Sequence, residues 1–179
     1  MTIFLVDVDG VCADFTGAAI SMIRKCPGYE NFENVDGSWH FIPEDTVLTK
    51  HLWGNLDARS LKPFEGDQEA IARLQERGRV LFVTAPAPRW TWMPERVEWL
   101  TQRYNVSAKD VIFAHGAEKQ FVYGDYLIED NAGNLDLWLQ HWGLGEGYLI
   151  DRSYNRKFNV GMRKSSLLEA VEDICDKMG

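Results

Sequence analysis

At 179 residues the chain is long enough to bury one sizeable core, with room for a small appended unit. Apolar residues make up 45% and prolines number six, which excludes a disordered or collagen-like chain. Nineteen Lys and Arg against 27 Asp and Glu leave a formal charge of −8; this opposes stable nucleic-acid binding, which needs a dense cationic surface, but not a small phosphorylated ligand met through a metal ion.

The first apolar run, 3–6, reads as a strand without polar alternation, as expected where helices cover both faces of a sheet. It is too short to span a membrane, lacks a basic leader and runs straight into carboxylates. Cys12, Cys26 and Cys175 form neither a disulfide framework nor a zinc site, and suit a reducing compartment. The chain therefore reads as cytoplasmic. Residues 14–61 hold turn signals (Pro27-Gly28, Asp36-Gly37) and no strong strand, over a length that a crossover helix does not need. They predict a small helical cap inserted after the first strand, with the core formed by 1–13 and 62–179.

Beyond the cap, 66–77 places Ala70, Ile71 and Leu74 on one stripe and predicts a helix that Gly78 would cap. Residues 80–83 form a second apolar run. A helix over 94–104 has Pro94 in its first turn, and further strands are expected at 111–113, 126–128 and 148–150. A last helix, 165–177, aligns Leu168, Val171 and Ile174. The alternation predicts an α/β, three-layer fold around a parallel five-stranded sheet.

In open parallel sheets, ligands bind beyond the carboxyl ends of the strands, so the residues after each run are the informative ones. The first run ends in Asp7-Val8-Asp9-Gly10-Val11, the second in Thr84-Ala85-Pro86, and the fourth in Glu129-Asp130-Asn131 with Lys119 upstream. Any one of these residues alone fits a helix N-cap, and Lys119 alone fits a solvated surface. Together they place repelling carboxylates where a divalent cation resolves the conflict, and hard oxygen donors select Mg²⁺. One carboxylate is then free to attack phosphorus and another to handle a proton, while a hydroxyl and a lysine meet phosphoryl charge.

The four motifs, in this order, resemble those of the haloacid dehalogenase-like (HAD) superfamily, a Rossmann-like fold. The resemblance implies Asp7 as the nucleophile of an aspartyl-phosphate and Asp9 as general acid/base. It implies Thr84, Ala85 and Lys119 as phosphate-binding residues, and Mg²⁺ held by Asp7, Asp130 and the main-chain carbonyl of Asp9. Residues 7–15 (Asp7-Val8-Asp9-Gly10-Val11-Cys12-Ala13-Asp14-Phe15), the Val83-Thr84-Ala85-Pro86 segment, and 61–66 are similar to the 5′(3′)-deoxyribonucleotidases. That implies a nucleoside monophosphate substrate whose base meets Phe15, Trp39 and Trp53.

Two positions depart from the pattern. Glu129 stands where an aspartate is usual, and Ala85 where a hydroxyl is. Gly124-Asp125 followed by Glu129 imitates the fourth motif, but 126–128 forms the better strand and leads into Asp130. Trp90, Trp92, Trp99, Trp138 and Trp142 read as packing residues or surface anchors rather than ligands, Arg89 as a surface arginine, and the four histidines show no ligand spacing. The expected partner is a small nucleotide, with no stable nucleic-acid binding, no membrane, and homodimerisation as an open option. A phosphatase for another small metabolite or for a nucleic-acid 3′-phosphate, and a non-catalytic HAD-fold binding protein, are the alternatives; base preference and the 5′ or 3′ position are left open.

Overall fold

The computed structural model describes residues 1–34 and 41–179. Six parallel strands form one sheet: β1 (Thr2–Val6), β2 (Gly78–Thr84), β3 (Val111–Phe113), β4 (Tyr126–Glu129), β5 (Glu146–Ile150) and β6 (Met162–Lys164). Their order is β3-β2-β1-β4-β5-β6, with Leu5 of β1 paired to Leu81 on one side and Leu127 on the other. The order reverses direction between β1 and β4. That reversal opens a crevice beyond the carboxyl ends of these two strands.

The helices are α1 (Phe15–Ile23), α2 (Thr46–Asn55), α3 (Asp67–Gln75), α4 (Trp92–Tyr104), α5 (Ala132–Trp142) and α6 (Leu167–Met178). Successive strand residues point to opposite faces. Phe4, Val6, Phe82, Ile128 and Ile150 thus pack with residues of α1, α2, α3, α4 and α6, while Leu5, Leu81, Val83 and Leu127 pack with Leu135 and Trp138 of α5. Both faces are covered, which explains the apolar strands.

Two expectations are corrected. The sheet has six strands, not five: β6 reads Met162-Arg163-Lys164 and lacks an apolar run. As an edge strand it buries little, and its charged side chains suit an edge that must not pair further. Gly78 is not a helix cap but the first residue of β2, and Glu76 closes α3. Gly78 is required there by a close approach, because a Cβ would run into the carbonyl oxygen of Thr2.

Between β1 and α3 the chain leaves and returns side by side. Asp14 N donates to Lys62 O (2.8 Å) and Phe64 N to Cys12 O (2.9 Å). Within the described part of 14–61, Asp14 caps α1 by accepting from Gly17 N, and Asp45 caps α2 by accepting from Val47 N and Leu48 N. The end of α2 is tied to the core by Arg89, which donates to the carbonyls of Trp53 (3.2 Å) and Gly54 (2.9 Å) while pairing with Glu95 (3.0 Å). Arg89 is therefore a tether rather than a free surface arginine. Among the described residues no helix is long and apolar enough to cross a membrane.

The tight contact of β2 with β1 yields a stability test. Gly78→Ala should lower unfolding free energy by about 1–3 kcal/mol, the usual cost of overpacking, seen as an earlier urea midpoint. An unchanged midpoint would mean that the Thr2 backbone gives way freely.

Candidate active site

Val6 is the last residue of β1, and Asp7 follows it, held in line with the sheet as its N–H donates to Ile128 O at 2.9 Å. The chain then folds back on itself: Cys12 N and Ala13 N both donate to Val8 O (2.8 Å each). Gly10 makes this turn with φ +81°, and a Cβ there would overlap the Asp130 carboxylate. Only glycine combines that left-handed backbone with so close an approach.

Lys119, on the 3₁₀ turn Gly116–Phe121, reaches into the sheet edge. Its Nζ lies 2.7 Å from Asp7 Oδ1 and 2.9 Å from Glu129 Oε2, and all three side chains are buried. Carboxylate oxygens of Asp7, Glu129 and Asp130 lie within 4.8 Å of one another. Three acids thus face one lysine, and the charges do not balance. Burial and the neighbouring Asp7 push the Glu129 carboxyl up to about 7. Burial, then Asp7 and Glu129, holds the Asp130 carboxyl well above its ordinary range. Burial works against the Lys119 ammonium, but the Asp7 and Glu129 carboxylates outweigh it and raise its pKa.

Asp130 is fixed from behind. Tyr154 OH donates to Oδ2, and Asn155 Nδ2 donates to the Asp130 main-chain oxygen (2.8 Å). Oδ1 is buried without a hydrogen-bond partner. A crowded set of hard oxygens, one of them unpartnered, fits a divalent cation such as Mg²⁺ or Ca²⁺. The compact acid set includes Glu129. Asp9 lies outside that set, and its Oδ1 is 2.6 Å from Arg96 Nη2. Burial raises the Asp9 carboxyl, and the Arg96 guanidinium pulls it part of the way back.

Thr84 ends β2, fully buried, with an Oγ1 that has no hydrogen-bond partner. Two adjoining cavities open here. One, about 280 Å³, is lined by Asp7, Asp9, Ala85, Lys119 and Glu129 among others. The other, about 410 Å³, shares Asp9 and Ala85 and continues past Phe15, Trp53 and Trp92. These rings form one wall: Phe15 stacks on Trp53 (centroids 6.0 Å), and Trp92 meets both edge-on at 6.1 and 6.0 Å.

Asp7, Lys119 and Ala85 therefore line one cavity, with Asp9 and Ala85 at the junction of the two and Phe15 and Trp53 along the second, whereas Thr84 and Asp130 are fully buried at neighbouring strand ends and line neither. Trp39 lies outside the described residues. Sequence reasoning missed Arg96 and Tyr154, for which no local signal exists. Trp92, expected to pack or to anchor at the surface, is buried and also lines the larger of the two cavities.

The family model for "5' nucleotidase, deoxy (Pyrimidine), cytosolic type C protein" matches residues 1–177. The chain belongs to this family. Among its relatives, a Staphylococcus aureus (strain Mu50) protein named "Putative 5'(3')-deoxyribonucleotidase" is 30% identical over 139 residues, covering 74% of this chain and 76% of the relative. A Staphylococcus epidermidis (strain RP62A) protein of the same name is 25% identical over 138 residues, with the same coverages. The 5′-nucleotidase chain also shares its fold with solved HAD-like hydrolases. The L-2-haloacid dehalogenase of Xanthobacter autotrophicus aligns with TM-score 0.61 at 11% identity, covering 98% of both chains. A hydrolase of Pseudomonas syringae aligns with TM-score 0.59 at 15% identity, covering 98% of this chain and 99% of that one.

The charge imbalance predicts a pH dependence in chelator. Glu129 titrates near 4.5 when unfolded and near 7 when folded, so between these values the folded form holds a proton that the unfolded chain has released. The contribution of Glu129 to stability is then fully present below about 4.5 and is lost as pH rises through about 7. Thermal melts of wild type should show that decline, and Glu129→Gln should flatten it. Identical slopes in both proteins would refute Glu129 as its source.

Proposed function

We propose that this 5′(3′)-deoxyribonucleotidase, a phosphoric monoester hydrolase, works through an aspartyl-phosphate on Asp7. The observation that carries the proposal is Asp7 itself: buried at the end of β1, its Oδ1 held by Lys119, at the head of a crevice that continues into an aromatic cavity. The phosphoryl group belongs at the Asp7 end and the nucleoside along Phe15, Trp53 and Trp92, with Trp39 assigned to the same wall by resemblance alone.

In the first step an Asp7 oxygen attacks phosphorus in line. The bond from phosphorus to the sugar oxygen breaks, its electron pair stays on that oxygen, and Asp9 gives it a proton. In the second step water attacks the same phosphorus and gives a proton to Asp9; the bond to Asp7 breaks and phosphate leaves. Thr84 Oγ1, unpartnered and buried, donates to a phosphoryl oxygen, Ala85 contributes its main-chain N–H, and the Lys119 ammonium neutralises charge on phosphate and nucleophile. Asp7, Asp130 and the Asp9 carbonyl would hold Mg²⁺, which supplies electrophilic neutralisation of the phosphoryl oxygens when bound.

Residues 14–61 act as the cap in this reading, since they supply Phe15 and Trp53 and leave and rejoin the core at adjacent positions. A cap of this kind excludes water while the acyl-phosphate forms. A cytoplasmic setting is supported by the three free cysteines and by the word "cytosolic" in the family's description.

The proposal is tested by phosphate release from a panel of nucleoside monophosphates and sugar phosphates. Deoxyribonucleoside monophosphates should be hydrolysed, chelator should stop the reaction, and Mg²⁺ should restore it. Asp7→Asn should abolish turnover, and Asp9→Asn should lower it by about 10²–10⁴-fold. Full activity of Asp7→Asn would overturn the assigned nucleophile, and release from sugar phosphates alone would move the substrate elsewhere.

A further inference from the structure

Helix α4 carries two arginines in very different company. Arg103, near its end, grips both oxygens of Asp67 through Nε and Nη2 (2.5 Å each). That two-point fork is the usual structural use of a guanidinium. Arg96, in the first half of the same helix, is fully buried yet touches a single carboxylate oxygen, Asp9 Oδ1. Its Nε and Nη1 are buried without hydrogen-bond partners. A buried cation satisfied at one point is costly to keep, and a merely structural pair would have used the fork.

What holds the guanidinium in place is aromatic. Its carbon lies 5.0 Å from the Trp92 ring centroid and 5.9 Å from that of Trp99, and Trp99 is itself anchored by its Nε1 donating to Leu61 O (3.1 Å). Rings on a guanidinium fix its plane as well as its position. Only Oδ1 of Asp9 is engaged; among the described residues none bonds Oδ2, and Asp9 lines both cavities. Trp92 belongs to both assemblies: one ring packs on Arg96 and meets Phe15 and Trp53 of the cavity wall.

We propose that Arg96 is a positioning residue that clamps Oδ1 of Asp9 and so aims Oδ2 at the sugar oxygen of the departing nucleoside. It touches neither substrate nor phosphorus. The proposal rests on the reading of Asp9 as the group that protonates the leaving oxygen. Its consequence is selective: Arg96 matters in proportion to how much the leaving group needs a proton.

The test compares two substrates in single turnovers, with enzyme in excess, following release of the leaving group so that acyl-phosphate hydrolysis does not enter. A deoxyribonucleoside monophosphate must protonate its alkoxide, whereas p-nitrophenyl phosphate expels a stable phenolate. Arg96→Gln should slow nucleoside release by about tenfold or more, within the range general acids supply. Nitrophenolate release and nucleotide KM should change far less. Arg96→Lys keeps the charge and should recover part of the loss; it serves the same comparison if Arg96→Gln does not fold, with melting temperature recorded for both.

Equal slowing of both substrates would mark Arg96 as merely structural, and a change confined to KM would mark it as a binding residue; either overturns the proposal while the nucleotidase reading stands. Wild-type enzyme that releases neither leaving group would overturn the reading itself.

Discussion

A single buried ammonium organises this protein's chemistry. Lys119 sits between Asp7 and Glu129 at the sheet's carboxyl edge, where three acids would otherwise repel one another out of water. One lysine cannot neutralise three carboxylates. The remainder appears as raised carboxyl pKa values at Glu129 and Asp130, and it makes the site a receptor for positive charge. A parallel sheet suits this task because consecutive strands deliver their ends to the same edge. β1 and β4 are hydrogen-bonded neighbours, so Asp7 and the Glu129-Asp130 pair meet with no further arrangement.

Around that charge centre the structure divides its labour by distance. Residues behind the acids orient them: Tyr154 and Asn155 hold Asp130, and Arg152 Nε donates to Gly10 O (2.7 Å), bracing the turn that carries Asp9. Residues in front are aromatic and shape the larger cavity. Arg89 and Glu95 link the two, because the same pair that follows the Thr84 loop also fixes the end of α2, where Trp53 lies, and Glu95 accepts from Ala58 N (3.2 Å). Displacing residues 46–60 would therefore move the aromatic wall and the start of α4 together.

The Glu129 departure from the usual aspartate has a physical account. Its Oε2 takes the Lys119 ammonium and its Oε1 accepts from Asn131 N (3.1 Å), so the longer side chain spans from the lysine back to its own loop. It supports the lysine that pairs with Asp7 and also completes the acidic set. Ala85 leaves one side-chain donor fewer, and the buried Thr84 hydroxyl remains on that loop.

The sequence by itself determined the strand ends and their order. An apolar run closed by an acid, a hydroxyl or an acid pair is a local signal, and parallel topology makes such ends converge, so Asp7, Thr84 and Asp130 are legible from sequence; Lys119, on the turn before β4, stands out only by its placement upstream of that strand. The tertiary structure alone decided what those residues touch. Arg96 meets Asp9 across 87 positions of chain and Tyr154 meets Asp130 across 24, separations at which neither periodicity nor spacing carries information. The sixth strand escaped for a related reason: Met162-Arg163-Lys164 is a strand because β5 offers it an edge, not because its own residues favour burial.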